Sequence, residues 1–250
     1  DHATVEDFMT TLAEASGRPI VRNILLADDE NLKRHRTFID WLNESHEKGL
    51  QVFGMGFTVR SPTILTFEDW SLWDNAPNWH EVMNGKYEDR VALMKDSAVR
   101  EKLRKEVDMN LVGGLGTSGP AQKLTVHGSA GFGQLDKYVD KKVAEIAEAE
   151  GKHVADVILD ISLESEFKAE FVGNAYPTSA ALTKEVLDCP YVVPGISDGG
   201  AHCHFVVQGA YPTDLLEWMV REEGLISAEK AHYGLSRLPA HMCGLGDRGI

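Results

Sequence analysis

The chain has 250 residues, with 25 Lys and Arg against 39 Asp and Glu, a formal charge of −14 at neutral pH. So acidic a balance excludes a nucleic-acid or anionic-membrane binder, which needs clustered cations, and no apolar run of about 18 residues is present to span a bilayer. Three scattered cysteines, Cys189, Cys203 and Cys243, exclude a disulfide scaffold and point to a reducing cytoplasm.

Val5, Phe8, Met9 and Leu12 recur at helical spacing, and Gly17-Arg18-Pro19 ends that run. Ile20 to Leu26 reads as a short buried strand closed by Ala27-Asp28-Asp29-Glu30. A helix follows with Phe38, Ile39, Trp41 and Leu42 on its apolar side and Gly49 as its stop signal, and Gln51 to Val59 is then β-rich. Strand, helix and strand with connections this short make the βαβ unit of a parallel sheet.

Residues 66–110 break that rhythm. Trp70, Trp73, Trp79 and Tyr87 precede a strongly helical stretch from Glu88 to Val107, so this part reads as an insertion of two or three helices. A Gly-rich stretch, 113–120, leads to a strand candidate at Leu124 to Val126. The βα alternation then resumes. Helices are expected over Lys141 to Glu150 and Val154 to Leu163, a brief strand at Phe171-Val172, a helix over Ala180 to Leu187 and a buried strand over Tyr191 to Ile196. Leu215 to Val220 and Ala228 to Leu235 are closing helices, with a last turn at Pro239 to Met242. A complete (β/α)8 barrel needs eight strands, and this inventory of three clear strands and two doubtful ones falls short.

Among residues able to carry chemistry, Asp198 stands out. In Gly195-Ile196-Ser197-Asp198-Gly199-Gly200-Ala201-His202 a buried strand delivers an acid at its C-terminal end, and glycines follow that let the backbone turn. Catalytic side chains of barrels and open α/β sheets gather at that edge, where an Asp can take a proton from water and return it to a leaving group. The plainer account is an Asp that opens a turn or caps the next helix. His202-Cys203-His204 would put two imidazoles on one face of a strand, yet two ligands without a third make a weak metal signal. Gly114-x-Gly116-x-x-Gly119 matches the dinucleotide fingerprint in letters only, because Pro120 stands where the helix should begin. Asp28, Asp29 and Glu30 read best as helix-capping acids, and His127 and the Trp70, Trp73 and Trp79 group as core or pocket residues alike. Arg60, just past a strand, is a candidate to hold a substrate carboxylate.

The segment Tyr191-Val192-Val193-Pro194-Gly195-Ile196-Ser197-Asp198-Gly199-Gly200-Ala201-His202 resembles the eighth strand of the N-acyl-D-amino-acid deacylase branch of the amidohydrolase superfamily. Ala210-Tyr211-Pro212-Thr213, Val220-Arg221-Glu222 and Leu238-Pro239-Ala240 through Gly244-Leu245-Gly246-Asp247-Arg248-Gly249 are similar to its closing helices. Gly17-Arg18-Pro19 with the strand after it, and Gly49-Leu50-Gln51-Val52, resemble the entries to strands five and six. The resemblance implies an α/β fold, the C-terminal portion of a (β/α)8 TIM-type barrel spanning residues 1–250 as strands five to eight, with 66–110 as a helical insertion.

It further implies a metal-dependent hydrolase of the amide bond of N-acyl-D-amino acids or similar small amides, with zinc or another divalent metal as cofactor. Asp198 inherits the role of proton shuttle, and His202 lies beside it as a further site residue. The family's first-strand H-x-H pair and its Cys ligand would lie upstream of residue 1, so the chain is expected to be a piece of a longer protein. Where the family carries metal-binding histidines on strands five and six, this chain reads Arg22-Asn23-Ile24 and Gly54-Met55-Gly56. The alternative is therefore a catalytically silent barrel, or a binding subunit, without the metal site. A half barrel has open edges and an exposed inner face, so self-association is expected.

Overall fold

The computed structural model describes residues 4–27, 31–69, 72–112, 121–173, 179–200, 206 and 208–249. They fall into two compact units, one built from residues 4–61 together with 179–200 and 208–249, the other from residues 62–173 together with 206.

The first unit opens with α1 (Val5–Ser16), β1 (Ile20–Leu25), α2 (Leu32–Glu47) and β2 (Val52–Phe57). Local signals set these boundaries. Thr4 and Asp7 form a reciprocal capping box at the start of α1, and Gly17, at φ +59°, takes the left-handed position that ends it. β1 pairs with β2 in parallel, as the βαβ pattern requires.

The fold places β6 (Val192–Gly195) directly beside β2, also parallel, with Gly54 opposite Val192 and Phe57 opposite Gly195. The sheet order is β1-β2-β6. It is a mixed α/β unit with three parallel strands among the described residues, and three strands do not close a barrel.

Each sheet face has its own cover. Leu25, Val52 and Val192 pack with Phe38 and Leu42 of α2 and with Val186 of α8 (Ala180–Asp188). A register shift between Asn23 and Leu25 brings Leu25 onto that helix-covered face. On the other face Phe53 and Val193 are buried under Leu238 and Met242 of the closing helix. The inner face is thus less exposed than a bare half barrel would leave it, because the C-terminal helix folds back over its lower half.

Downstream of β6 lie α9 (Tyr211–Leu215), α10 (Ala228–His232) and α11 (Leu238–Met242). The first two widen into π turns at Leu216–Glu222 and Tyr233–Arg237, where sequence periodicity predicts plain helix. Wide turns keep an apolar side chain every three to four residues, so the pattern cannot tell them from α-helix.

His46, near the end of α2, shows how this unit is tied at its lower end. Its ring stacks on Tyr191, with centroids 3.4 Å apart and planes 4° from parallel, and Nε2 donates to the Val52 carbonyl at 2.7 Å. Burial pushes its pKa below the usual histidine value, with the bond to Val52 acting in the other direction. The neutral ring is the form that fits. The unfolded chain takes up a proton near pH 6.5 and the folded one only below that, so stability falls as pH drops through that range. The urea midpoint should therefore decline from pH 7.5 to 5.5, and His46→Gln should flatten that decline. An unchanged slope in the variant would show that His46 is not its source.

The second unit carries β3 (Ile64–Leu65), α3 (Pro77–Met83), α4 (Tyr87–Lys95), α5 (Ser97–Asp108), β4 (Thr125–Gly128), α6 (Val143–Glu150), α7 (Val154–Glu164) and β5 (Glu170–Val172). The expected helices of 66–110 are present as α3 to α5. The single stretch from Glu88 to Val107 is broken at Asp96, whose carboxylate accepts from the N–H groups of Ala98 and Val99 and starts α5.

Its strands form an antiparallel sheet in the order β3-β5-β4. Strands are found at both expected places, as β4 (Thr125–Gly128) and β5 (Glu170–Val172), but they belong to this small sheet and not to a resumed parallel repeat. Trp73 and Trp79 are fully buried in this unit's core. No helix among the described residues is long and apolar enough to cross a membrane.

Candidate functional site

The C-terminal ends of β1, β2 and β6 lie along one edge of the parallel sheet. That edge is where strand geometry exposes backbone ends and side chains to a ligand. Two of its members, β2 and β6, are clamped together: the Thr58 N–H and hydroxyl both donate to the Gly195 carbonyl, at 2.7 and 2.9 Å, with Thr58 fully buried. The loop after β6 is stitched in turn. The Gln208 N–H donates to the Ser197 carbonyl at 3.1 Å, and the Gly199 N–H to the Ser197 hydroxyl at 3.2 Å.

Asp198 leaves this clamped strand end half-buried, with its backbone at φ +41°. Left-handed backbone is rare outside glycine, and Asp and Asn tolerate it best. The local conformation therefore favours an Asx residue here and aims its short carboxyl from a fixed position.

Arg60 sits at the end of β2's extension. Its N–H donates to Asp214 Oδ2 at 2.7 Å, Nε and Nη2 donate to Asp214 Oδ1 at 3.0 and 2.7 Å, and Nη1 donates to Glu222 Oε2 at 2.8 Å. The guanidinium also lies over the Trp218 ring, 5.3 Å from its centroid. Hydrogen bonding to Asp214 raises its pKa further, against some desolvation. With two carboxylates and an indole on it, Arg60 ties β2 to the helices after β6, and little of the fork remains for a substrate carboxylate.

Gln208 gave no sequence signal. It is 3 % exposed, and its side-chain carbonyl has no hydrogen-bond partner among the described residues. A buried unpaired acceptor is costly, by about 1–3 kcal/mol. Nothing local in the sequence marks it, since Gln is common on ordinary surfaces.

His202, Cys203 and His204 lie outside the described residues, as do Asp28, Asp29, Glu30, Trp70 and the 113–120 glycine stretch. His127 is exposed on β4 in the second unit.

The strand faces settle how Asn23 and Gly56 differ. Asn23 is exposed and pairs in register with Met55, on the face opposite α2. Gly56 points the other way, where an added Cβ would stand 3.0 Å from Val192 Cγ1 and 3.3 Å from Val186 Cγ1. Gly56 is therefore a packing requirement and not a vacated ligand position; the inner residue of this part of β2 is Met55. Gly56→Ala should destabilise by about 1–3 kcal/mol through overpacking, read as a drop in urea midpoint. A neutral Gly56→Ala would contradict this close packing.

Among the described residues no three His, Cys, Asp or Glu side chains gather as a metal site would need. Among the described residues Asp198 is the single carboxylate at the end of β6, and Asn23 and Met55, on the sheet face opposite α2, are poor zinc donors. The described residues do not fit a zinc centre by themselves.

Asp198 thus stands at the C-terminal edge of a parallel βα sheet in a mixed α/β unit. The chain is similar to an N-acyl-D-glutamate deacylase from Bordetella bronchiseptica, solved with zinc and a phosphonate inhibitor mimicking the tetrahedral intermediate (TM-score 0.49, 15 % identity over 98 % of this chain). It is similar also to two D-aminoacylase structures, at TM-scores of 0.46 and 0.47 and 16 and 15 % identity over 96 % of this chain. One of those was solved to study that enzyme's binuclear metal centre. The chain spans about 40 % of the length of these proteins. No protein-family model matches the chain, and no curated protein does.

Proposed function

We propose that this chain is the C-terminal part of a hydrolase that cleaves the amide bond of N-acyl-D-amino acids or similar small amides, with Asp198 moving the proton. The observation that carries the reading is Asp198 itself: an acid at the C-terminal edge of a parallel sheet, in a segment whose sequence resembles the family's strand eight. In this reading Asp198 takes a proton from the attacking water and gives it to the leaving amine nitrogen.

The Thr58–Gly195 and Gln208–Ser197 bonds hold the strand end that carries it. Arg60 is a positioning residue, fixing the helices after β6 through Asp214 and Glu222. His202 is assigned to the same site on the resemblance alone. The zinc or other divalent metal that the resemblance implies would take its ligands from outside the described residues, and the chemistry assigned to this chain is the proton transfer at Asp198. A cytoplasmic location and a homo-oligomeric assembly belong to the same reading.

The second reading is a catalytically silent barrel or binding subunit, favoured by Asn23 and Met55 on the inner face of the sheet. One assay separates the two. The protein as isolated from its source is offered N-acetyl-D- and N-acetyl-L-amino acids, and free amine release is followed together with metal content. Release from the D-series supports the hydrolase; no release from a protein holding stoichiometric metal overturns it.

A further inference from the structure

Gln208 follows β6 in the chain, and its backbone is fixed on both sides. Its N–H donates to the Ser197 carbonyl at 3.1 Å, and its own carbonyl accepts from the Tyr211 N–H at 3.0 Å, at the start of α9. α9 is anchored in turn, because its Asp214 holds Arg60 at 2.7 Å. The residue therefore stands one hydrogen bond from Ser197, the chain neighbour of Asp198, and all of these groups belong to the first unit.

The side chain is the anomaly. Gln208 is 3 % exposed, and its side-chain carbonyl accepts no hydrogen bond among the described residues. Folded proteins pair nearly all their buried polar groups, and an apolar side chain of the same length would fill the space without leaving an acceptor unpaired. Two side-chain donors of the same edge are engaged elsewhere: the Thr58 hydroxyl on the Gly195 carbonyl, and Arg60 on Asp214 and Glu222. An acceptor held on so fixed a backbone, out of bulk water and without a donor, suits a donor that arrives with a ligand.

The chemistry at Asp198 says which donor. The proposed hydrolysis acts on an amide whose nitrogen carries one N–H, and that nitrogen is the atom to which Asp198 returns the proton. We infer that Gln208 is a specificity-determining residue for secondary amides: its side-chain carbonyl accepts the N–H of the scissile amide and fixes the orientation of that nitrogen. The inference rests on the hydrolase reading and adds a substrate class to it. An amide alkylated on nitrogen has no N–H to give, so it leaves the buried carbonyl unpaired in the complex, the circumstance in which a site discriminates most strongly.

The experiment crosses two substrates with two forms of the whole protein, wild type and Gln208→Met. N-acetyl-D-alanine and N-acetyl-N-methyl-D-alanine are compared by acetate release. Wild type should prefer the N–H amide by about tenfold or more in kcat/KM. Gln208→Met should lose about tenfold on that amide and stay within about twofold on the methylated one, so that the preference collapses.

A second readout needs no turnover. Methionine removes an unpaired acceptor, so the urea midpoint of Gln208→Met should equal or exceed that of wild type. A lowered midpoint would show the carbonyl to be paired within the fold and overturns the inference. So does an N–H preference that survives in Gln208→Met. Equal turnover of the two amides by wild type overturns the role of Gln208 and leaves the hydrolase reading standing, whereas no release from either amide overturns that reading and the inference with it.

Discussion

Asp198→Asn should lower kcat for amide hydrolysis by about 10²–10⁴-fold, the range that a positioned acid–base group contributes, while KM and the thermal midpoint stay close to wild type. Asparagine is the informative replacement for a structural reason. The backbone at this position sits at φ +41°, which Asn tolerates nearly as well as Asp, whereas Ala would add strain and confound a catalytic loss with a folding one. The Thr58–Gly195 clamp and the Gln208–Ser197 bond involve no Asp198 side-chain atom, so they should survive the change. Asn keeps the shape and hydrogen-bonding capacity and loses the ability to hold a proton. An Asp198→Asn variant with turnover within twofold of wild type would remove Asp198 from the chemistry and, with it, the observation on which the proposed function rests.

Trp79→Ala should destabilise the second unit by about 3–5 kcal/mol, the usual cost of emptying a buried aromatic site. Trp79 is 0 % exposed and meets Trp73 edge-on, with centroids 4.6 Å apart and planes at 85°. Phe67 completes the cluster at 6.0 Å and 82°. The Trp79 indole N–H donates to the Leu103 carbonyl in the middle of α5 at 3.3 Å, and the truncation also removes that bond. Phe at this position should recover part of the loss by filling the space without the bond. Circular dichroism in urea is the measurement to use, since the substitution removes a fluorophore. A midpoint shift worth less than about 1 kcal/mol would mean the site collapses around the gap, contrary to its dense aromatic packing.

These two expectations differ in how far the sequence alone supported them. Asp198 was legible because the features that single it out are local: a run of buried strand residues, an acid at its end and glycines immediately after. Trp79 was visible as an aromatic residue but equally compatible with core and with pocket. Only its contacts with Trp73, Phe67 and Leu103 place it in the core.

Helix and strand signals read from the sequence agree closely with the elements observed, because caps, stop glycines and apolar spacing act over a few residues. α1 ends at Gly17, α6 at Gly151 and the strand before Asp198 near Gly195, each where the sequence marks it. The two-residue β3 escaped notice because so short a strand has no period to detect. The break at Asp96 was hidden in a run of helix-forming residues whose charges alternate across it.

What the tertiary structure decided is pairing between distant segments. β2 meets β6 across more than a hundred residues, and Arg60 finds Asp214 and Glu222 at similar range. β4 and β5 turn antiparallel in a sheet of their own, and Gln208 is buried with an unpaired carbonyl. Gly56 reads in sequence as a missing ligand and proves to be the space that Val192 and Val186 occupy. Periodicity says that a strand has two faces but not which face meets which neighbour. A register shift such as the one between Asn23 and Leu25 exchanges those faces partway along. The sequence thus determined the elements and the acid at the edge, through interactions confined to a turn or a strand. The faces, the partners and the company that acid keeps depend on contacts the chain makes only once folded.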